Sequence, residues 1–322
     1  MSQKILFTFF LTIFLGVPAY AGTVLIVRKP SKHFAVVRKS IAAELEGHTI
    51  IDYILDKDSA YAGFKSMILV KKPDLMVLMD NAAVKMGLAL GKEEDQFLRS
   101  IPAVATMALN LNKLLKNNKR IAGIAYEVPG FTVITQFRQI LAKPIKKVLV
   151  MYRKSEFTDT IKDLKFRLSR EKIDLIALNA EAKGKDLESI NQFLEDNIKT
   201  RVSRNKIDAV LVLSDNILLN TKSFGNIWLK KAKTIGIPFL CGIDRFVSRE
   251  IDFCTYGASP NHESLGEQVA ELILAILEDG ETPEDLGVEK IISVVKKINL
   301  DKVMKLKLGL NNINLYGYSV AM

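Results

Sequence analysis

Residues 207–216 read IDAVLVLSDN, a short continuous apolar run that ends in polar residues. A helical segment follows, and a second apolar run at 237–241 ends just before another pair of charged residues. Continuous apolar runs of this length are typical of strands buried on both faces of a parallel sheet. Open α/β sheets bind ligands at the C-terminal edge of such strands. The stretch therefore predicts a strand-helix-strand unit whose candidate binding residues are Asp215, Asn216, Asp244 and Arg245.

The same strand-helix unit recurs through most of the chain. A first set of strands is predicted at 23–27, 48–54, 74–79, 101–106 and 120–126, and a second set at 147–152, 173–178, 207–213 and 237–241. Repeated units of this kind predict parallel sheets with right-handed crossovers. The rhythm breaks at Glu127-Val128-Pro129-Gly130, which is the candidate hinge between two lobes.

The last sixty or so residues do not extend the second set. Residues 253–258 have strand character, and Ser259-Pro260-Asn261 is a helix-entry signal. An amphipathic helix is predicted at 265–277, a strand at 288–295 and a helical turn at 300–308.

Length and charge limit the class of protein. A chain of 322 residues is long enough for two lobes that each bury a core. The net charge is +10, but the lysines are dispersed and no aromatic residues alternate with them, so nucleic acid is not an expected partner. A solvated basic surface is the simpler interpretation, and attraction of acidic ligands or anionic envelope lipids is the alternative.

The N-terminus has the pattern of a secretory signal. Lys4 precedes an apolar run at 5–17, and Pro18-Ala19-Tyr20-Ala21 matches a cleavage site. The run is shorter than the roughly 20 apolar residues that cross a bilayer. Residues 1–21 are therefore predicted to be a cleavable signal peptide, and the mature protein to be periplasmic or extracytoplasmic. An uncleaved membrane anchor is the alternative.

Signatures of catalysis are missing from the sequence, so no enzyme is predicted. The sequence has no Gly-x-Ser-x-Gly, no His-Glu-x-x-His and no dinucleotide Gly-x-Gly-x-x-Gly motif, and the phosphate-loop match at 87–92 is one residue short. His33 is the only histidine placed to act as a general base, but a surface or capping role is the simpler interpretation.

Two cysteines and three scattered histidines predict no metal site, and no cofactor is expected. Cys241 and Cys254 could form a disulfide in an oxidising compartment or remain free as small core residues.

Polar side chains follow the predicted strands where each strand ends. They are Lys29, Ser31, Asp80, Asn81, Tyr126, Tyr152, Asp215, Asn216, Asp244 and Arg245. In a two-lobe α/β protein these edges face a cleft, where Arg can bind a carboxylate, Asp an ammonium and Tyr a ring. The alternative for the Asp and Asn residues is to cap the following helix. Asp244 and Arg245 could also pair with each other or support the hinge.

The sequence resembles the substrate-binding proteins of ABC importers, in the group that includes tryptophan- and tyrosine-binding members. Four stretches carry the resemblance: 207–216; 236–239; 259–270 with its continuation to 280; and 298–310, which ends in Leu308-Gly309-Leu310.

The resemblance implies a type I periplasmic-binding fold with two Rossmann-like lobes and three crossings. It implies an N-terminal lobe of 22–126 plus 259–282 and a C-terminal lobe of 127–258 plus 283–322. It also places Asp215 and Asn216 on the family's strand-end motif.

The implied function is an envelope solute-binding protein that closes on a small polar or aromatic metabolite, such as an amino acid, and delivers it to a membrane permease. The alternatives are a sensory or partner-interaction protein with a divergent cleft, and an envelope enzyme with Asp215 or Asp244 as base. Residues 106–109 and 249–254 depart from small-residue segments of the family and abut the expected cleft. A different ligand or a degenerate site is therefore also an expectation.

Overall fold

The computed structural model describes residues 21–56, 61–311 and 317–321. The predicted signal peptide lies outside the described residues except for Ala21. Within those ranges, no helix is both long and apolar enough to cross a bilayer. The described chain forms two sheets, each with helices packed on both of its faces.

The strands divide between the two sheets. The first sheet contains β1 (Thr23–Arg28), β2 (Thr49–Ile54), β3 (Leu75–Met79), β4 (Ala103–Thr106), β5 (Ile121–Ala125) and, from much later in the chain, β11 (Val288–Lys290). The second contains β6 (Lys147–Tyr152), β7 (Asp174–Asn179), β8 (Ala209–Val212), β9 (Phe239–Cys241), β10 (Tyr256–Pro260), β12 (Val294–Ile298) and β13 (Tyr318–Val320).

The helices connect these strands. Those on the first sheet are α1 (Lys32–Glu44), α2 (Tyr61–Lys71), α3 (Asn81–Leu90), α4 (Gln96–Ser100), α5 (Leu111–Leu114), α11 (His262–Leu277) and α12 (Pro283–Leu286). Those on the second are α6 (Gly130–Ile140), α7 (Lys154–Arg170), α8 (Leu187–Asn205), α9 (Thr221–Ser223), α10 (Leu229–Thr234) and α13 (Leu300–Lys305), with a π-helical turn at Phe224–Trp228 and a 3-10 turn at Asp244–Val247.

The first five strands of each set follow the same order, and the remaining strands differ in number between the two sheets. The first runs β11-β5-β4-β3-β1-β2, all parallel, and the second runs β13-β12-β10-β9-β8-β6-β7, parallel except where β12 pairs antiparallel with β10. In each sheet the first strand of the set therefore lies between the second and the third, which is the doubly wound arrangement.

The central strands of each sheet are buried on both faces because they are apolar along most of their length, as in β3 and β8. In β1, Leu25 and Val27 pack into one cluster while Val24 and Ile26 pack into the cluster on the opposite face. The second sheet alternates in the same way along β6. This explains why the strand sequences show continuous apolar runs rather than alternation.

Three chain segments join the lobes. The chain leaves the first sheet after β5, returns between β10 and α11, and crosses again between β11 and β12. The predicted break at Glu127-Val128-Pro129-Gly130 coincides with the first crossing. The division of the chain into two domains stays a prediction, but the strand pairing differs from its boundaries at two points. Residues 259–260 pair in the second sheet, and 288–290 pair with β5 in the first.

The helix-entry signal at Ser259-Pro260-Asn261 is confirmed, because the Asn261 side chain caps α11. Ser259 and Pro260 are also the last residues of β10, and Pro260 lies at the last pair of the ladder, where its missing N–H costs least. The strand prediction at 288–295 was wrong in detail. The apolar run at 288–295 is two short strands in different sheets, because the third crossing divides it.

The second crossing is fixed by close packing of α11 on α1. A Cβ atom at Gly266 would lie 2.7 Å from the carbonyl oxygen of Val37, so a larger residue would push the two helices apart. Leu265, Val269 and Ile273 of the same helix are fully buried against one face of the first sheet.

Cys241 and Cys254 are bonded as a disulfide that joins the end of β9 to the residues before β10. Both are buried in the second-lobe core, where Phe253 packs against Phe224, Trp228, Phe239 and Phe246. Phe253 and Cys254 therefore lie in the core, contrary to the expectation that this segment lines the cleft.

Candidate functional site

The strand order reverses between β1 and β3 in the first sheet and between β6 and β8 in the second. Open α/β sheets bind ligands just outside the C-terminal ends of the strands at such a switch point. Lys29 and Asp80 follow the two strands in the first lobe, and Arg153 and Asp215 follow the two in the second. Each switch point thus carries one cation and one carboxylate.

In the first lobe, Lys29 and Asp80 form an ion pair with 2.6 Å between Nζ and Oδ2. The other carboxylate oxygen of Asp80 accepts hydrogen bonds from the backbone N–H groups of Ala82 and Ala83, which caps α3. Asp80 has φ 101° and ψ 170°, a backbone conformation that is readily adopted only by glycine. The strain is offset by the cap and the ion pair. Oδ2 of Asp80 is buried and, apart from this ion pair, has no hydrogen-bond partner among the described residues.

In the second lobe, Arg153 and Asp215 repeat this arrangement. Nε of Arg153 lies 2.8 Å from Oδ2 of Asp215, whose side chain is fully buried. Oδ1 of Asp215 accepts from the N–H groups of Ile217 and Leu218. The carboxylate therefore stabilises the turn at 216–219 and forms an ion pair, whereas the next helix, α9, is capped by Asn220.

The remaining predicted residues of these strand ends have different roles. The side-chain amide of Asn81 donates to the carbonyl of Leu109 and accepts from its N–H, which fixes the loop after β4. Asn216 and Ser31 are exposed, and Ser31 makes no capping bond to α1. Tyr152 is half-buried and packs against the second-lobe core.

A cavity of about 440 Å³ lies between the lobes, and each lobe contributes six side chains to its walls. The first lobe provides Asn81, Lys85, Leu109, Asn110, Lys113 and Leu114; the second provides Arg153, Glu156, Phe157, Ser214, Asp215 and Asn216. Three predicted site residues therefore meet here, namely Asn81, Asp215 and Asn216. The other seven predicted residues do not line this cavity.

An ion pair connects the lobes at the cavity. Nζ of Lys113 in the first lobe lies 2.7 Å from Oε2 of Glu156 in the second and donates to the carbonyl of Ser155 at 2.8 Å. Nearby, Oε1 of Glu127 in the first crossing accepts from the N–H of Asn110 at 2.5 Å, and burial raises the pKa of Glu127. These contacts tie the loop after β4 to the hinge segment and to α7.

Sequence reasoning missed Arg153, Lys113 and Glu156. Arg153 follows Tyr152 at a strand end, so the rule that selected its neighbour could have selected it too. Lys113 and Glu156 lie within helices, where no sequence pattern distinguishes them from ordinary surface charges.

A second group of side chains lies on the other side of the first sheet's C-terminal edge. Tyr126 and His262 are stacked, with 2.8 Å between the hydroxyl oxygen and Nε2, and the ring of His33 lies 5.0 Å from that of His262. Burial raises the pKa of Tyr126 to about 12, with a contribution from Asp244. Burial and His33 lower the pKa of His262, while Asp244 opposes them.

Asp244 of the second lobe therefore faces this histidine-tyrosine group of the first lobe. The carboxylate of Asp244 accepts from the backbone N–H of Arg245, and the Arg245 side chain is exposed. No ion pair joins the Asp244 and Arg245 side chains, both of which the structure describes. Among the described residues, no group of three or more His, Cys, Asp or Glu side chains is arranged to hold a metal ion.

No family model and no curated protein matches the sequence. Solved structures do match. An L-Trp-bound ABC domain from Streptococcus pneumonia aligns over 94% of this chain and 100% of its own, with 15% identity and a TM-score of 0.63. A ligand-free, open substrate-binding protein with adhesive properties from Clostridium difficile aligns over the same shares, with 18% identity and a TM-score of 0.67.

The fold is that of a type I periplasmic binding protein. A conserved domain protein from Vibrio cholerae supports it as well, at 16% identity and a TM-score of 0.63 over 94% of this chain and 100% of its own. The predicted fold class, with two Rossmann-like lobes and three crossings, is thus confirmed, and so is the resemblance to substrate-binding proteins of ABC type. At identities this low the periplasmic-binding-protein neighbours show the fold alone.

Proposed function

We propose that this protein is an extracytoplasmic solute-binding protein that closes its two lobes on a small polar or aromatic metabolite. The observation that carries the proposal is the interlobe cavity of about 440 Å³, which has one switch point on its wall and takes half of its lining from each lobe. A ligand that touches both lobes stabilises the closed state by the difference between its affinities for the closed and open states.

The solved structures support this proposal, since one holds L-Trp and another is a substrate-binding protein. A binding role also agrees better with the cavity than catalysis does. Its described carboxylates, Glu156 and Asp215, take part in ion pairs, Asp215 also accepts backbone hydrogen bonds within a turn, and its serine forms no hydrogen bond with a histidine. A secretory signal at residues 1–21 and delivery of the ligand to an ABC permease complete the proposal.

One observation favours the alternative of a sensory or partner-interaction protein on the same fold. The charged groups that a zwitterionic ligand would use, Arg153 with Asp215 and Lys113 with Glu156, are already paired with each other. A cleft whose paired charges are already satisfied within the protein could serve as a surface that a partner protein recognises.

Thermal-shift measurements on the purified mature chain against a panel of metabolites, followed by small-angle scattering, test the proposal. We expect at least one compound to raise the melting temperature and to reduce the radius of gyration. Leu109→Arg, which places a long side chain in the cavity, should abolish both effects. The matched control Leu69→Arg changes an exposed leucine of α2 and should abolish neither.

A panel with no binder and no change in scattering would refute a solute-binding role. If a ligand is found, cross-linking of the ligand-loaded protein to solubilised membranes distinguishes an import protein from a sensory or partner-interaction protein. Capture of an ABC permease supports import, whereas capture of a membrane sensor or receptor supports the alternative.

A further inference from the structure

The charge of the cavity walls is set by five side chains. Lys85, Lys113 and Arg153 are positive, and Glu156 and Asp215 are negative, so one positive charge is in excess. In a partly enclosed site an excess charge attracts ligands of the opposite sign, since solvent screens it less than it would at the surface.

Both negative groups of the cavity are already engaged. Asp215 pairs with Arg153 and accepts two backbone hydrogen bonds. Glu156 pairs with Lys113 at 2.7 Å and lies 4.0 Å from Nη1 of Arg153. At the other switch point, Asp80 is used by Lys29 and by the cap of α3. The described walls thus offer no free carboxylate to an ammonium group.

The positive groups keep unused donors. Arg153 gives Asp215 only its Nε, and its two Nη atoms form no hydrogen bond to the described chain. Lys85 is exposed and forms no ion pair with any residue that the structure describes. Glu181 attracts Arg153 electrostatically, but the Glu181 carboxylate accepts hydrogen bonds from the N–H and the hydroxyl of Ser155. Lys185 offsets the negative charge of Glu181. A guanidinium held in this way is suited to a carboxylate or a phosphate.

We infer that the ligand of this cleft is a small organic anion that carries no ammonium group. The inference rests on the proposed solute-binding function and narrows its ligand class. The anionic end lies between Arg153 and Lys85, and an apolar part contacts Leu109, Leu114 and Phe157. A carboxylate and a phosphate monoester share this chemistry. An amino acid does not, because its ammonium would face the excess positive charge without a partner.

Isothermal titration calorimetry with matched probes on the purified mature chain tests the inference. The probes are L-phenyllactate, phenylpyruvate and phenyl phosphate, each compared with L-phenylalanine, and indole-3-lactate compared with L-tryptophan. We expect an anionic probe to bind at least tenfold more tightly than its amino acid. Arg153→Gln should weaken that binding by about 10- to 100-fold, the usual effect of losing a hydrogen-bonded charge.

Two further variants keep the test decisive if Arg153→Gln does not fold. Lys85→Gln removes an exposed charge and should weaken binding of the anionic probe several-fold. Lys222→Gln changes a lysine outside the cavity and should leave that binding unchanged.

Tighter binding of an amino acid than of its anionic counterpart, or equally tight anion binding by Lys85→Gln and by the unchanged chain, would overturn the anion inference and leave the solute-binding function intact. Failure of every probe and every metabolite in the thermal-shift panel would overturn both.

Discussion

Replacement of Lys302 by methionine should destabilise the second lobe by about 3 kcal/mol, a large effect for one lysine. Lys302 is only 6% exposed, and its ammonium donates to the backbone carbonyls of Asp252 at 2.6 Å and Phe253 at 2.7 Å. It also lies 3.5 Å from a carboxylate oxygen of Asp252. The side chain thus holds the segment that leads from the 3-10 turn into β10.

The expected magnitude follows from the two carbonyls. A buried acceptor that loses its partner costs about 1–3 kcal/mol, and the Phe253 carbonyl is buried while that of Asp252 is only partly so. We therefore assign about 2 kcal/mol to the loss at the Phe253 carbonyl and about 1 kcal/mol to the loss at the Asp252 carbonyl. Burial lowers the pKa of the Lys302 ammonium although Asp252 raises it, so the charge itself adds little to this sum. Methionine keeps most of the packing volume, and no cavity cost is added.

Urea denaturation and thermal melting of Lys302→Met measure the effect, with a melting temperature lower by roughly 5–10 °C. Lys305→Met is the matched control, because Lys305 lies on the same short helix and is exposed. A loss below about 0.5 kcal/mol, or one equal to that of Lys305→Met, would contradict the idea that the ammonium supports these carbonyls.

Two other predictions concern the histidine group and the disulfide. The pKa of His262 is held below 6.5 by burial and by His33, so the unfolded chain binds this proton more readily and the free energy of unfolding should fall as the pH drops below about 6.5. His262→Gln keeps a partner for Tyr126 but does not titrate. The difference in unfolding free energy between the two proteins should therefore change with pH below 6.5, by at most about 1.4 kcal/mol per unit, and stay constant above it. A difference that is the same from pH 5 to pH 8 would be inconsistent with a depressed pKa. For the disulfide, the double change Cys241→Ala with Cys254→Ala reopens a loop of sequence separation 13 and should cost about 3 kcal/mol in urea denaturation. Equal stability of the two proteins would show that the bond constrains little.

The architecture could be predicted from the sequence because its signals are local. Apolar runs such as 207–213 are typical of strands buried on both faces, and the polar residues after them mark the strand ends. The errors fall where the structure of a segment depends on contacts with residues far away in the sequence. Residues 288–295 look like one strand, but β11 pairs with Gly123, Ile124 and Ala125 while β12 pairs with β10.

The site was less predictable because its residues act in pairs. Asp215 follows a strand end and lines the interlobe cavity, but its partner Arg153 is 62 residues away, and no local pattern joins them. Without that partner, Asp215 is the natural acceptor for a ligand's ammonium; with it, the carboxylate is already neutralised. The sequence also gives no sign that Asp80 adopts φ 101°, since that conformation is imposed by the ion pair and the cap around it.

The interleaving of the lobes affects how the protein is made. The face of the first sheet formed by Val24, Ile26 and Val77 is covered by α1 and by α11, and α11 is encoded after almost the whole second lobe. While the ribosome is still translating the second lobe, this apolar face of the first is covered by α1 alone. The first lobe can therefore complete its core only after translation has passed residue 277, and nascent chains that stop earlier should bind chaperones or aggregate.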